Sequence, residues 1–205
     1  MVLVFNGWAA GPEIWDLCSF DHDWLFSYVE LLDGLHHQVL RDVDGAVVVG
    51  FSMGGEMALK TVLEYPGKIK ALVLVSATAR MMEQKEEGWR GMSERRLNAL
   101  KEGTNLIYGN DPGELFRETN LSRGLDFLRD TDLRTPLRSM GKVDFPIEII
   151  QAERDGIVRP ANAEFLKSVF PHANVTMVDS AEHVLTVAFP EIVDAAVNRA
   201  LSAFK

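Results

Sequence analysis

The chain has 205 residues, of which 47% are hydrophobic and 25% are charged, proportions that exclude a disordered, collagen-like or coiled-coil protein. The formal net charge of -9 argues against a nucleic-acid backbone as the main partner. Apolar runs such as Ala71–Val75 are far shorter than the roughly 18 residues of a membrane span, and no charged-then-apolar leader precedes Val2. We therefore expect one domain over residues 1–205, a monomer in the cytoplasm, without nucleic-acid or membrane partners.

Short apolar runs alternate with helical patterns along the chain. The predicted strands are Val2–Phe5, the weaker apolar stretch Trp24–Leu32, then Ala46–Val49, Ala71–Val75, Pro146–Ile150 and Val175–Val178. The predicted helices run from Glu56 to the stop at Tyr65-Pro66-Gly67, from Pro160 to Phe170-Pro171, and from about Pro190 to Ala203. Because parallel strands need crossover helices, this alternation predicts an α/β protein with a mainly parallel sheet.

Residues 76–145, here called the cap segment, interrupt the alternation. Helical patterns occur near Ser93–Lys101, Pro112–Glu118 and Leu125–Leu128, and no convincing strand is present, so we expect a helical cap inserted in the α/β core. The cap segment holds 12 basic and 12 acidic residues, so the whole net charge belongs to the flanking sequence.

A Gly-x-Ser-x-Gly motif, Gly50 to Gly54, lies between a predicted strand and a predicted helix. In that context a tight turn exposes the serine hydroxyl at the carboxyl edge of the sheet, and the new helix begins directly behind it. Ser52 is therefore the candidate nucleophile. Such a serine needs two further residue types, an acid and a base, and these follow the fifth and sixth predicted strands as Asp155 and His183.

Two main-chain N–H groups are candidates to bind a developing oxyanion. One belongs to Met53, the residue after the nucleophile, and the other to Trp8, which follows the Asn6-Gly7 turn at the end of the first strand. Small residues beside Trp8 leave room for the backbone to approach a substrate oxygen.

Together these residues resemble the α/β-hydrolase superfamily, in which the catalytic residues follow the order Ser, Asp, His. The resemblance extends to the pimeloyl-[acyl-carrier protein] methyl ester esterases of biotin synthesis, through residues 74–79, residues 124–137 and Phe170-Pro171-His172. It implies the α/β-hydrolase fold without the usual N-terminal strands, and a serine esterase that needs no cofactor. The ester substrate would be a small molecule or a group bound to acyl-carrier protein. Asn6 stands where relatives usually carry histidine.

Two other function classes use the same fold. One is a lyase or synthase, or another small-molecule hydrolase, that reuses the three residues, and the other is a ligand-binding scaffold without catalysis. The complete set of three residues argues against the scaffold, and activity on short p-nitrophenyl esters would weigh against the lyase or synthase.

The cap segment leaves two further alternatives open. Its apolar residues form either a small core or an acyl-binding wall: Met81, Met82, Trp89, Met92, Leu97 and Leu100. Its arginines form either a solvated face matched by the acids or a docking patch for an acidic carrier protein: Arg80, Arg90, Arg95, Arg96, Arg117, Arg123, Arg129, Arg134 and Arg138.

Four histidines invite a metal interpretation, but no ligand spacing completes a site, so His22, His36, His37 and His172 are predicted to be solvated surface residues. We predict no metal. Cys18 is the only cysteine, and nothing cationic lies beside it in sequence, so it is predicted to be a packing residue.

Overall fold

The computed structural model of the chain describes residues 1–81, 115 and 117–203. The predicted helix near Ser93–Lys101, and most of the one at Pro112–Glu118, lie outside the described residues. Six strands of the described residues form one sheet: β1 (Val2–Phe5), β2 (Trp24–Phe26), β3 (Ala46–Phe51), β4 (Ile69–Val75), β5 (Ile147–Ala152) and β6 (Asn174–Val178). All pairings are parallel, and the strand order is β2-β1-β3-β4-β5-β6. The predicted parallel α/β architecture is confirmed.

Eight α-helices lie within the described residues. They are α1 (Tyr28–Leu32), α2 (Leu35–Asp42), α3 (Met53–Glu64), α4 (Glu118–Asp130), α5 (Arg134–Ser139), α6 (Ala161–Val169), α7 (Leu185–Ala188) and α8 (Pro190–Ser202). The predicted helix at Leu125–Leu128 is part of α4, and those after Pro160 and Pro190 are confirmed as α6 and α8. No helix in the described part of the chain is long and apolar enough to cross a membrane.

The sheet has a buried core on each face because successive side chains of a strand point to opposite sides. In β3, Ala46 and Val48 pack in the core formed with α2, α3, α5 and α6, whereas Val47 and Val49 pack in the core formed with α8. This double burial explains why the strands are continuous apolar runs in the sequence.

The weaker apolar stretch Trp24–Leu32 is two elements. Only β2 is a strand, and α1 begins directly after Ser27. The Ser27 hydroxyl accepts a hydrogen bond from the Glu30 N–H, and the Glu30 carboxylate accepts one from the Ser27 N–H, a capping box that starts a helix. The Ser-x-x-Glu spacing is the sequence pattern that indicates a capping box and the start of a helix.

The prediction that the histidine pair is solvated was wrong for one of its members. His36 lies on α2 and is only 2% exposed, with its ring against those of Phe5 and Phe26. Burial, and secondarily the charges of His37 and Lys60, lower the pKa of His36 from its ordinary 6.5 to about 4. The fold therefore holds His36 as the neutral imidazole at neutral pH.

Cys18 was predicted to be a packing residue, and the structure confirms it. The side chain is half-buried against the core formed with α8. Burial, with the charge of Asp194, raises the pKa of the thiol to about 12, so the group stays protonated.

We predict that the free energy of unfolding falls as the pH is lowered from 6.5 towards 4. Over that range His36 becomes protonated in the unfolded chain but stays neutral in the folded chain. The lowered pKa corresponds to a loss of about 3 kcal/mol in the free energy of unfolding. Urea unfolding of wild type and His36→Leu at several pH values tests this. Below pH 6.5, the free energy of unfolding of wild type should fall relative to that of His36→Leu as the pH is lowered. A constant difference from pH 8 to pH 4.5 would contradict it.

Candidate active site

Ser52 lies in a sharp turn between β3 and α3, as its motif predicts. Its backbone has φ 52° and ψ -119°, a conformation that costs energy for any residue but glycine. The turn is tight because α3 begins against the end of β1: a Cβ on Gly54 would lie 2.1 Å from the carbonyl oxygen of Phe5. Only glycine fits there, and this explains the second glycine of the motif.

The register of the sheet brings the predicted residues to one edge. Phe5 of β1 pairs with Gly50 of β3, and Phe51 pairs with Val75 of β4. Loops that leave the carboxyl ends of these strands therefore start side by side. In an open α/β sheet, this edge is where ligands bind.

His183 lies between the other two candidate residues. Its Nε2 is 3.0 Å from the Ser52 Oγ, and its Nδ1 is 2.7 Å from the Asp155 Oδ2. The Asp155 side chain is fully buried and that of His183 is 13% exposed. The structure thus brings together the three residues that the sequence singled out, in the order hydroxyl, imidazole, carboxylate.

The Asp155 carboxylate is fixed by its own loop. Its Oδ1 accepts hydrogen bonds from the N–H groups of Ile157 at 2.7 Å and Val158 at 3.0 Å. The other oxygen, Oδ2, faces His183 and also lies 3.4 Å from the Gln151 amide nitrogen. These hydrogen bonds fix the orientation of the carboxyl group, so that its Oδ2 can in turn orient the imidazole.

Ser76 is a site residue that sequence reasoning missed. Its hydroxyl donates to the main-chain carbonyl of His183 at 2.9 Å, and its own φ is 47°. Together with Ala9 and Ser52, it makes up the three non-glycine residues of positive φ in the described part of the chain, and all three are in loops at this edge. Its position directly after β4, matching that of Ser52 after β3, is the signal that could have found it.

The two predicted oxyanion donors belong to helix α3 and to the loop that follows β1. Met53 is the first residue of α3, where an N–H group has no carbonyl of its own helix to bind. Trp8 is in the loop of residues 7–11, here called the β1 loop, which leaves the end of β1. Its indole Nε1 donates to the carbonyl of Leu121 in α4 at 3.0 Å.

Asn6 braces the β1 loop from within. It is 1% exposed, and its amide nitrogen donates to the carbonyls of Ala10 and Gly11, both at 2.8 Å. The amide oxygen accepts from the Gly7 N–H at 3.0 Å and from the Trp15 indole at 3.3 Å. One side chain thus satisfies four groups, and the loop closes around it.

Glu56, one turn after Ser52 in α3, is a second feature that the sequence did not indicate. The residue has no exposed surface, and neither carboxyl oxygen has a hydrogen-bond partner among the described residues. Burial, with the charge of Asp132, raises the pKa of Glu56 well above its ordinary value. The neutral acid is therefore favoured over a wider pH range than for an exposed glutamate.

Within the described residues, no group of three His, Cys, Asp or Glu side chains could hold a metal ion. His172, which had been one candidate, is exposed and bonds through Nε2 to the Phe145 carbonyl oxygen at 3.0 Å.

Comparison with known proteins identifies the fold. A family model described as alpha/beta hydrolase fold matches residues 38–106, which include Ser52. Among solved structures, the chain is similar to a hydrolase from Oleispira antarctica, with a TM-score of 0.74, 13% identity and coverage of 97% of this chain and 89% of that one. It is also similar to an esterase from Exiguobacterium antarcticum, with a TM-score of 0.74, 15% identity and coverage of 98% and 91%. The chain has the α/β-hydrolase fold.

Two curated relatives carry the name pimeloyl-[acyl-carrier protein] methyl ester esterase. The protein from Nitrosospira multiformis is 25% identical over 172 residues, and the match spans 71% of this chain and 64% of that protein. The one from Nitrosomonas europaea is 23% identical over 233 residues, which span 93% of this chain and 91% of that protein.

We predict that Asn6→Ala lowers the free energy of unfolding by about 2–4 kcal/mol, because it leaves several buried donors and acceptors without partners. Asn6→Asp should cost a similar amount, since a carboxylate cannot donate to the Ala10 and Gly11 carbonyls. Urea unfolding measures both. The matched control is Asn198→Ala on the exposed face of α8, for which the change should stay within about 0.5 kcal/mol. Equal effects at the two asparagines would show that Asn6 does not brace the loop.

Proposed function

We propose that the protein is a serine carboxylesterase with Ser52 as nucleophile, His183 as general base and acid, and Asp155 as the group that orients His183. The observation that carries the proposal is the continuous chain of contacts from the Ser52 Oγ through the imidazole to the buried carboxylate, at 3.0 Å and 2.7 Å. A serine hydroxyl is a weak nucleophile until such a base removes its proton.

The reaction would have two halves. As the Ser52 oxygen attacks the ester carbonyl, its proton passes to His183 Nε2, and the negative charge develops on the carbonyl oxygen. The N–H groups of Met53 and Trp8 are proposed to bind that oxygen. The bond to the alcohol then breaks, and His183 returns the proton to the leaving alcohol, which leaves an acyl group on Ser52.

Water completes the cycle. His183 removes a proton from a water molecule, the hydroxide oxygen attacks the acyl carbonyl, and the Ser52 oxygen leaves with the proton that His183 returns. Asp155 supports the imidazolium in both halves, because its carboxylate accepts from His183 Nδ1 and has two main-chain donors on its other oxygen. Every step uses groups of this chain and water, so the proposed reaction needs no cofactor.

The substrate class that we propose is the methyl ester of a pimeloyl group on acyl-carrier protein, in the cytoplasm. The support is the name shared by the curated relatives that match this chain. We further propose that residues 76–145 serve as a cap over the site, inserted in one domain. Leu128 of this segment shares an apolar cluster with Met53, the residue next to the nucleophile, and Met81 and Leu125 pack against that cluster, an arrangement that supports an acyl-binding wall.

Four of the described arginines of the cap segment pair with carboxylates, which favours a solvated, matched face over a docking patch. The Asp132 carboxylate accepts from Arg80 at 3.0 Å and from Arg134 at 2.9 Å. The hydrogen bond from Arg134 is the main reason why the pKa of Asp132 is lowered to about 2. Arg123 pairs with Asp33 at 2.6 Å, and Arg129 pairs with Asp126 at 2.8 Å. The case for a carrier-bound substrate therefore depends on the relatives and not on these four arginines.

A fluorophosphonate probe tests the nucleophile. Wild type should be labelled at Ser52 and should hydrolyse short p-nitrophenyl esters, whereas Ser52→Ala and His183→Ala should lose about 10⁴- to 10⁶-fold in kcat. Ser168→Ala, at an exposed serine of α6, is the matched control and should behave as wild type. Labelling of Ser52→Ala at the wild-type rate would overturn the assignment. Tight ligand binding without turnover by wild type would show a binding scaffold instead.

A biotin auxotroph that lacks the esterase step tests the substrate. The wild-type gene should restore growth without biotin, and the Ser52→Ala gene, expressed to the same level, should not. If the purified protein hydrolyses p-nitrophenyl esters and the gene does not restore growth, the protein is an esterase with a different substrate.

A further inference from the structure

The indole of Trp8 is held from outside by helix α4 of the cap segment. Its Nε1 donates to the Leu121 carbonyl at 3.0 Å, so the ring lies along the surface of α4. One turn later on the same helix is Gly124, where a Cβ would be 2.3 Å from the Trp8 Cδ1 and 2.7 Å from its Nε1. That distance is far inside van der Waals contact, so any side chain at residue 124 must displace the indole or the helix.

This contact explains a residue that is otherwise costly. Glycine in the middle of a helix is less favourable than alanine by about 1 kcal/mol, and Gly124 is the seventh of 13 residues in α4. Since the backbone of α4 needs no special φ there, the glycine serves the close approach of Trp8. The Trp8 indole and α4 therefore pack closely at Gly124.

The other side of the β1 loop is fixed by the core. Asn6 binds Gly7, Ala10 and Gly11, and the residue after Trp8, Ala9, has φ 54°. Trp8 thus has its backbone in a loop braced by Asn6 and its indole against a helix of the cap segment. A shift of the indole would be transmitted to the peptide group of Trp8, because the strained loop has few other conformations to absorb it.

We propose that α4 is a positioning element of the reaction: through Leu121 and Gly124 it holds Trp8 so that its main-chain N–H points at the oxyanion. The inference rests on the proposed function, since it takes Trp8 to be an oxyanion donor. Gly124 is a positioning residue, because it acts through Trp8 and does not touch the substrate. Activity would then depend on how this helix of the cap segment is seated.

A double-mutant cycle tests the inference. Gly124→Ala should lower kcat for a p-nitrophenyl ester by about 10- to 100-fold with little change in KM, because a misplaced oxyanion donor weakens binding of the transition state more than binding of the substrate. Trp8→Ala should lower kcat by a similar factor. In the Trp8→Ala background, Gly124→Ala should then change kcat by less than about twofold, since the indole that the new methyl group would displace is gone and the next atom, Tyr28 Cε2, lies 3.3 Å from the Cβ position.

A tetrahedral-adduct inhibitor supplies a readout that a general loss of structure would not move. Across the variants, the inhibition constant of a trifluoromethyl ketone should rise in proportion to KM/kcat, whereas that of the carboxylic acid product should stay constant. Gly67→Ala is the matched control, because a Cβ at Gly67 would meet nothing within 4 Å. It should leave kcat and both inhibition constants as in wild type.

The outcomes separate this inference from the proposed function. An active wild type with an equally active Gly124→Ala variant overturns the inference, and so does an equal loss from Gly124→Ala in both backgrounds. If wild type hydrolyses no ester, hydrogen exchange of residues 7–11 decides: faster exchange in Gly124→Ala than in Gly67→Ala supports the positioning contact while the esterase proposal fails. Unchanged exchange overturns the contact as well.

Discussion

The close approach of helix α3 to the end of strand β1 is the constraint on which the site depends. With no side chain at Gly54, the first turn of α3 lies directly against the Phe5 carbonyl. That contact forces the chain through the left-handed turn at Ser52, and it brings the Met53 N–H beside the loop that leaves β1. One steric condition therefore places Ser52 and the start of α3 against the end of β1, where the β1 loop begins.

The sheet holds the strained backbone of the loops at this edge in place. Residues of positive φ follow β1, β3 and β4, namely Ala9, Ser52 and Ser76. The strained serines remain attached to their neighbours, since the Ser52 N–H donates to the Val75 carbonyl and the Ser76 N–H donates to the Ile150 carbonyl. Each loop thus leaves a strand whose position is fixed by buried pairing on both sides, which is how a fold can maintain unfavourable backbone angles.

The strands and the three residues at their ends could be predicted from sequence because buried parallel strands are continuous apolar runs and the chemistry of a serine nucleophile requires fixed partner types. The contacts of Ser76, Asn6 and Glu56 could not be predicted, since they depend on which groups the folded chain brings near these side chains. His36 shows the same limit: its neighbour His37 is half-buried, and only the rotation of α2 over Phe5 decides which of the two is enclosed. Local sequence patterns predict the type of an element, whereas tertiary packing determines which of its side chains are buried.

The charge distribution also has a structural meaning. The cap segment is neutral overall, and in its described part Arg80, Arg129 and Arg134 pair with acids of the same segment, while Arg123 pairs with Asp33 at the end of α1. Exposed pairs of this kind contribute little free energy, so they do not explain how the segment is attached to the core. The buried contacts do: the Trp8 indole and the Tyr28 hydroxyl both donate to cap-segment carbonyls, those of Leu121 and Leu115. Both donors lie next to the candidate site, so the attachment of the segment and the geometry of the site share the same hydrogen bonds.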